Sequence, residues 1–171
     1  MIIAMVIVVA IVLVSTSVVV LTNHLHVGTF SDKEISSNAG QTLVENKGNN
    51  TAVYSGFLPA ERLAVRYFNE SNGSGLVLVV SVEFSNLSQS KSLYVYTMNE
   101  WLNLNYKISS RWNNGSYNGF IFNSVFYEYG NLYAMVASGY SGSFAFYIYD
   151  SGVKLSDVTT LIHDEIQAMT S

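Results

Sequence analysis

The chain has 171 residues and no cysteine, which removes disulfide frameworks, thiol nucleophiles, iron–sulfur clusters and Cys-type zinc sites from consideration. Its 8 basic and 12 acidic side chains leave a net charge of −4, and the lack of a basic block argues against a nucleic-acid partner. Charged residues are 12% of the chain, about half the usual globular share, and Asn, Ser, Thr, Gly and Tyr take their place.

The first 31 residues carry no charged side chain, and Ile2 to Leu21 is apolar apart from Ser15, Thr16 and Ser17. A helix of that length spans roughly 30 Å, the thickness of a bilayer's hydrocarbon core. The many Val and Ile lower helix propensity in water, but lipid offers the backbone no other partner, so a transmembrane-type helix is expected over residues 1–22. A cleaved signal would need a basic n-region, a shorter apolar run and a small-x-small site, none of which is present. The segment therefore reads as an uncleaved membrane anchor, or as a helix packed against copies of itself. Lys33 is the first basic residue, so the positive-inside rule has little to count, and the uncharged, amide- and hydroxyl-rich remainder is what argues for an outward-facing domain.

Residues 23–50 are polar, with Leu43-Val44 the one apolar pair after the interface, and are expected to form a tether or stalk with at most one short strand. From Thr51 the period becomes two. Strands are expected at Ala52 to Phe57, Leu63 to Phe68, Leu76 to Ser85 and Leu93 to Tyr96. An Asn-rich connection with a strand near Leu104 to Ile108 follows, then strands at Phe120 to Phe126, Leu132 to Ala137 and Phe144 to Tyr149. Seven or eight short antiparallel strands with turn signals every 8–12 residues or so predict a mainly β, jelly-roll or Ig-like β-sandwich over 51–171. The tail differs: Ser156 can cap a helix, Asp157 suits its first turn, and Val158, Ile162, Ile166 and Met169 recur at helical spacing. A short amphipathic C-terminal helix is expected over 156–169.

Two resemblances follow from these patterns. The strand ending in Leu58-Pro59, the long apolar strand, Leu93-Tyr94-Val95-Tyr96-Thr97, the Gly130-Asn131-Leu132-Tyr133 strand and the closing strand Phe144 to Tyr149 resemble, in that order, the membrane-anchored GOLD-like jelly-roll sandwiches. That implies a non-catalytic interaction domain beside a membrane. A charge-free Val/Ile-rich N-terminal helix ahead of a polar β-domain resembles archaeal type IV pilins, whose precursors carry a short basic leader; this sequence opens on Met1 without one. That resemblance implies a filament subunit. The low-charge composition is similar to that of extracellular proteins from thermophilic or acidophilic archaea.

Five N-x-Ser/Thr sequons, at Asn49, Asn69, Asn72, Asn86 and Asn114, fall in loops or near strand ends and are candidate glycan acceptors. Tyr94, Tyr96, Tyr133, Tyr147 and Tyr149 alternate with core residues and are expected to form one tyrosine face, able to stack on a sugar or bury a protein partner. No catalytic constellation emerges. His24 and His26 share a strand face but have no third ligand nearby; His163, Asp164 and Glu165 come from the far end of the chain. In Gly139-Tyr140-Ser141-Gly142-Ser143 a serine stands where a nucleophile elbow needs its second glycine, so the segment reads as a hairpin. Glu83, Glu100, Glu128 and Asp150 are too scattered to be paired as glycosidase carboxylates. The expectation is a non-enzyme without metal or cofactor, whose partners are the membrane or copies of itself through residues 1–22, and an envelope protein or glycan through the domain.

Overall fold

The computed structural model describes residues 25–40, 42–46, 60–70, 75–103, 113–129, 132–153 and 156–171. The apolar segment, the strand expected at Ala52 to Phe57 and the one near Leu104 to Ile108 lie outside the described residues. No described helix is long and apolar enough to cross a membrane.

Seven strands and three helices are described. The strands are β1 (Leu43–Glu45), β2 (Arg62–Glu70), β3 (Leu76–Glu83), β4 (Asn113–Tyr117), β5 (Phe120–Tyr129), β6 (Leu132–Ser141) and β7 (Phe144–Ser151). The helices are α1 (Asp32–Ala39), α2 (Leu87–Asn103) and α3 (Val158–Thr170). The strand order is β1-β2-β3-β7-β6-β5-β4, antiparallel at every step. The mainly β, antiparallel architecture is as expected. The seven strands nevertheless join one sheet, so the layers that a jelly roll would fill with a second sheet are filled here by helices.

Register fixes which side chains meet which layer. Phe68, Val77, Ile148, Ala137 and Phe122 point to one face, where they join Phe30, Ile35 and the Leu161, Ile162, Ile166 and Met169 ridge of α3 in the main core. Alternation sends the other half of each strand to the opposite face. There Val125, Val136, Tyr147 and Tyr149 pack with Met98 and Tyr94 of α2, and Val82, Phe84 and Ala145 pack with Leu93. β7 is covered on both sides, which is why its sequence, Phe144 to Tyr149, is apolar at almost every position.

Two expectations need correction. Leu93 to Tyr96 is not a strand but part of α2, where Leu93, Tyr94, Thr97 and Met98 occupy the sheet-facing side. Four residues of alternation cannot outweigh a capped 17-residue helix: Asn86 Oδ1 accepts the Gln89 N–H at 3.1 Å, and Gln89 Oε1 accepts that of Ser85 at 3.2 Å. Nor do residues 25–46 form a tether. The His26 N–H donates to the Met169 carbonyl at 2.9 Å, Leu25 and Val27 pack on the core, and Phe30 is 1% exposed. Then α1 begins with a complete capping box of Ser31 and Glu34 and ends on Gly40 at φ 64°. α3 is present as expected, with Asp157 rather than Ser156 as its cap.

Two glycines are required by close packing. A methyl at Gly28 would stand 2.6 Å from the Ala168 carbonyl oxygen, and one at Gly139 would stand 2.9 Å from that of Ile121 while striking the Phe146 ring. Gly139→Ala should therefore cost about 1–3 kcal/mol, the range for overpacking a filled core. The buried Ser81 hydroxyl has no partner, so Ser81→Ala should leave stability unchanged or raise it. Thermal melting of both variants checks this; a Gly139→Ala domain that melts like the wild type would contradict the packing.

Candidate interaction site

The N-terminal segment is held to the sheet through the backbone of Phe30. Arg66, on β2, donates from Nη1 to the Phe30 carbonyl at 2.6 Å. Its Nη2 pairs with Glu45 at 3.1 Å and with Asp32, and its guanidinium lies 4.9 Å from the centre of the Phe68 ring. On the other side of the Phe30 Cα, Oε2 of Glu165 accepts the Phe30 N–H at 3.2 Å. The Phe30 ring stacks on Phe68 at 6.3 Å. Residues from α1, β1, β2 and α3 thus converge around the backbone of a single residue.

Glu165 is fully buried, and its Oε1 has no hydrogen-bond partner. Burial pushes its carboxyl up to about 8, outweighing the downward pull of the Phe30 N–H and of Arg66. The group is therefore a neutral acid at pH 7, because a charge in this core would cost more than one partly committed guanidinium returns. A second buried acid, Asp150 on β7, accepts the Val153 N–H at 3.0 Å. Burial, with the nearby Glu70 adding to it, pushes Asp150 up to about 7.

Beside the clamp, α1 and α3 border an open polar cleft of about 450 Å³. Its wall is stiffened by Asn38, whose Nδ2 donates to the Asp157 carbonyl at 2.6 Å and whose Oδ1 accepts the Asp157 N–H at 3.3 Å. Asp157 caps α3 through the Thr160 N–H at 3.0 Å and the Thr160 hydroxyl at 2.8 Å, bonds that hold its carboxyl below the usual range. Asp164 is shifted up, first by burial and then by Glu34. Glu34, Asp157 and Asp164 thus face the cleft with Lys33 as its basic residue. Such a surface can hold an ammonium, a guanidinium or a hydroxyl-rich ligand. Among the described residues no three His, Cys, Asp or Glu side chains converge as a metal site.

The residues singled out from sequence are distributed differently. Tyr94, Tyr147 and Tyr149 do come together, but beneath α2 rather than on an open sheet. Tyr94 lies 5.2 Å from Tyr140 and its hydroxyl accepts from Asn123 Nδ2; burial raises its pKa. Tyr96 is 64% exposed on the outer side of α2, and Tyr133 is 53% exposed on the face shared with Met135. The five tyrosines therefore do not share one face. Consecutive residues of α3 diverge as helical geometry demands: His163 stacks on Tyr117 at 4.0 Å, Asp164 borders the cleft and Glu165 enters the core. Of the sequons, Asn86 and Asn114 are exposed, Asn69 lies within β2, and Asn49 and Asn72 lie outside the described residues, as does His24. Phe30, Arg66 and Asn38 carried no motif in the sequence.

The raised carboxyls fix the sign of the pH dependence. In the unfolded chain Glu165 ionises near 4.5 and Asp150 near 3.8, whereas the folded protein keeps these protons until about 8 and about 7. The unfolded state binds fewer protons between those limits, so stability falls as pH rises through them. Melting temperature should therefore decline from pH 5 to pH 8. Glu165→Gln, which cannot ionise, should flatten that decline. A melting temperature that is level or rising from pH 5 to 8 would contradict the assignment.

No family model matches the chain, and no curated protein matches it in sequence. In three dimensions it is similar to the extracellular domain of PknH from Mycobacterium tuberculosis, with a TM-score of 0.54 and 11% identity. The match covers 82% of this chain and 90% of that one. At such low identity the likeness establishes a shared arrangement of strands and helices and nothing finer.

Proposed function

We propose that the protein is a non-catalytic domain held against the outer surface of a membrane by residues 2–21, serving as an envelope or accessory-subunit domain that recognises a protein or glycan partner. The observation that carries this reading is the short path from the apolar segment to the fold. Leu25 packs on the core, and residues 22–24 alone separate it from Leu21. At no more than about 3.6 Å per residue, that stretch cannot act as a stalk. An anchored domain would ride against the membrane surface, with residues 25–30 and the end of α3 nearest to it.

Two further features support the reading. The similar structure is by its description an extracellular domain. The acidic cleft between α1 and α3 offers a partner site made of charged, amide and hydroxyl groups on a rigid frame.

Fractionation of cells that make the protein tests this. The expected result is recovery from detergent-extracted membranes, with residues 25–171 released by protease added outside intact cells. Enrichment in sheared extracellular filaments would overturn the anchor in favour of a filament subunit. Recovery from the cytosol would overturn both.

A further inference from the structure

The sequence contains five sequons, and the structure separates them. Asn114 and Ser116 sit two apart on β4, the last strand of the sheet, so both project to the same side and both are exposed. The intervening Gly115 turns the other way, against the Phe122 ring. Asn114 is in register with Asn123, whose side chain reaches Tyr94 of α2, which places Asn114 on the α2 side of the sheet. Asn86 stands exposed at the start of that same helix. Its Oδ1 is engaged in capping Gln89, which turns the other arm of the planar amide, Nδ2, away from the helix end. Asn69 is different: it lies inside β2, paired with Val44 on one side and Leu76 on the other, and is only partly exposed.

We propose that Asn86 and Asn114 are acceptors for N-linked oligosaccharides, and that the α2 side of the domain is the glycan-bearing side. This rests on the outward placement argued above. The donor is a lipid-linked oligosaccharide whose anomeric carbon bears a phosphate or diphosphate leaving group, transferred by a membrane glycosyltransferase. The Nδ2–C1 bond forms and the C1–O(phosphate) bond breaks. The lipid phosphate departs with the electron pair, and Nδ2 gives up one proton to the transferase's base. The product amide keeps its carbonyl oxygen, so a glycan on Asn86 is compatible with the cap on α2. Both acceptors lie across the sheet from α1 and α3, so the acidic cleft stays uncovered for a partner.

The test is glycopeptide mass spectrometry on the full chain isolated from the cells that make it, beside Ser88→Ala and Ser116→Ala variants. Each variant removes a sequon hydroxyl and leaves both asparagines, and the cap, in place. Sugar mass increments should appear on Asn86 and Asn114. The first should vanish in Ser88→Ala and the second in Ser116→Ala, with circular dichroism unchanged. Bare Asn86 and Asn114 in protein that external protease reaches on intact cells would overturn the glycan assignment alone. Bare peptides from protein that the protease never reaches would overturn the outward placement with it. Sugar on Asn69, with Asn86 and Asn114 bare, would overturn the geometric selection.

Discussion

A single residue, Phe30, carries through its backbone the link from the N-terminal segment to α3 and the sheet. Its N–H is taken by Glu165 and its carbonyl by Arg66, from positions 135 and 36 residues away in the sequence. Hydrogen bonds of this kind contribute roughly 1–3 kcal/mol each, and burying the Phe30 ring against Phe68 adds a similar amount. Against these stands the orphaned Oε1 of Glu165, an unsatisfied group that costs about 1–3 kcal/mol. The sum favours docking, and keeping Glu165 protonated is part of what makes it favourable. Without the clamp, residues 25–31 would lose their fixed path across α3 and α1 would lose its starting point.

The same clamp organises the layer above it. α1 starts at the residue after the Ser31 cap, and its Asp32 is already paired with Arg66. At its other end Asn38 ties α1 to the start of α3, which braces one wall of the cleft between them. On the opposite face α2 is fixed through Ser90, whose hydroxyl donates to the Gly142 carbonyl in the β6–β7 turn at 2.6 Å. Two buried acids that prefer to be neutral make the fold more stable at pH 5 than at pH 8.

The sheet was largely legible in the sequence because period-two alternation survives wherever one face packs differently from the other. β2, β3, β5, β6 and β7 each showed it, and so did the helical spacing of α3. β4 carried a clear cue as well, the Asn118-Gly119 pair of a tight hairpin, whose positive φ values of 44° and 82° are those such turns require. The two helices read as tether and strand were marked by caps rather than by periodicity: Ser31 with Glu34, and Asn86 with Gln89, are three apart at each start. Their amphipathic stripes are short or interrupted by serine, which is why an apolar pattern alone misplaces them. The clamp and the cleft had no local signature at all. Arg66 looks like any outward residue of an alternating strand, and Glu165 like any carboxylate on a helix. Only the fold reveals that one helix turns its acid inward and that the segment ahead of another lays its backbone across it.

Amide hydrogen exchange in the full-length protein, read at Phe30, tests this account most directly. The N–H held by Glu165 should exchange only with global unfolding, as slowly as core amides of β3 and β7. Exchange at the rate of an open loop, with the sheet still protected, would show that the N-terminal segment is not fixed by the clamp.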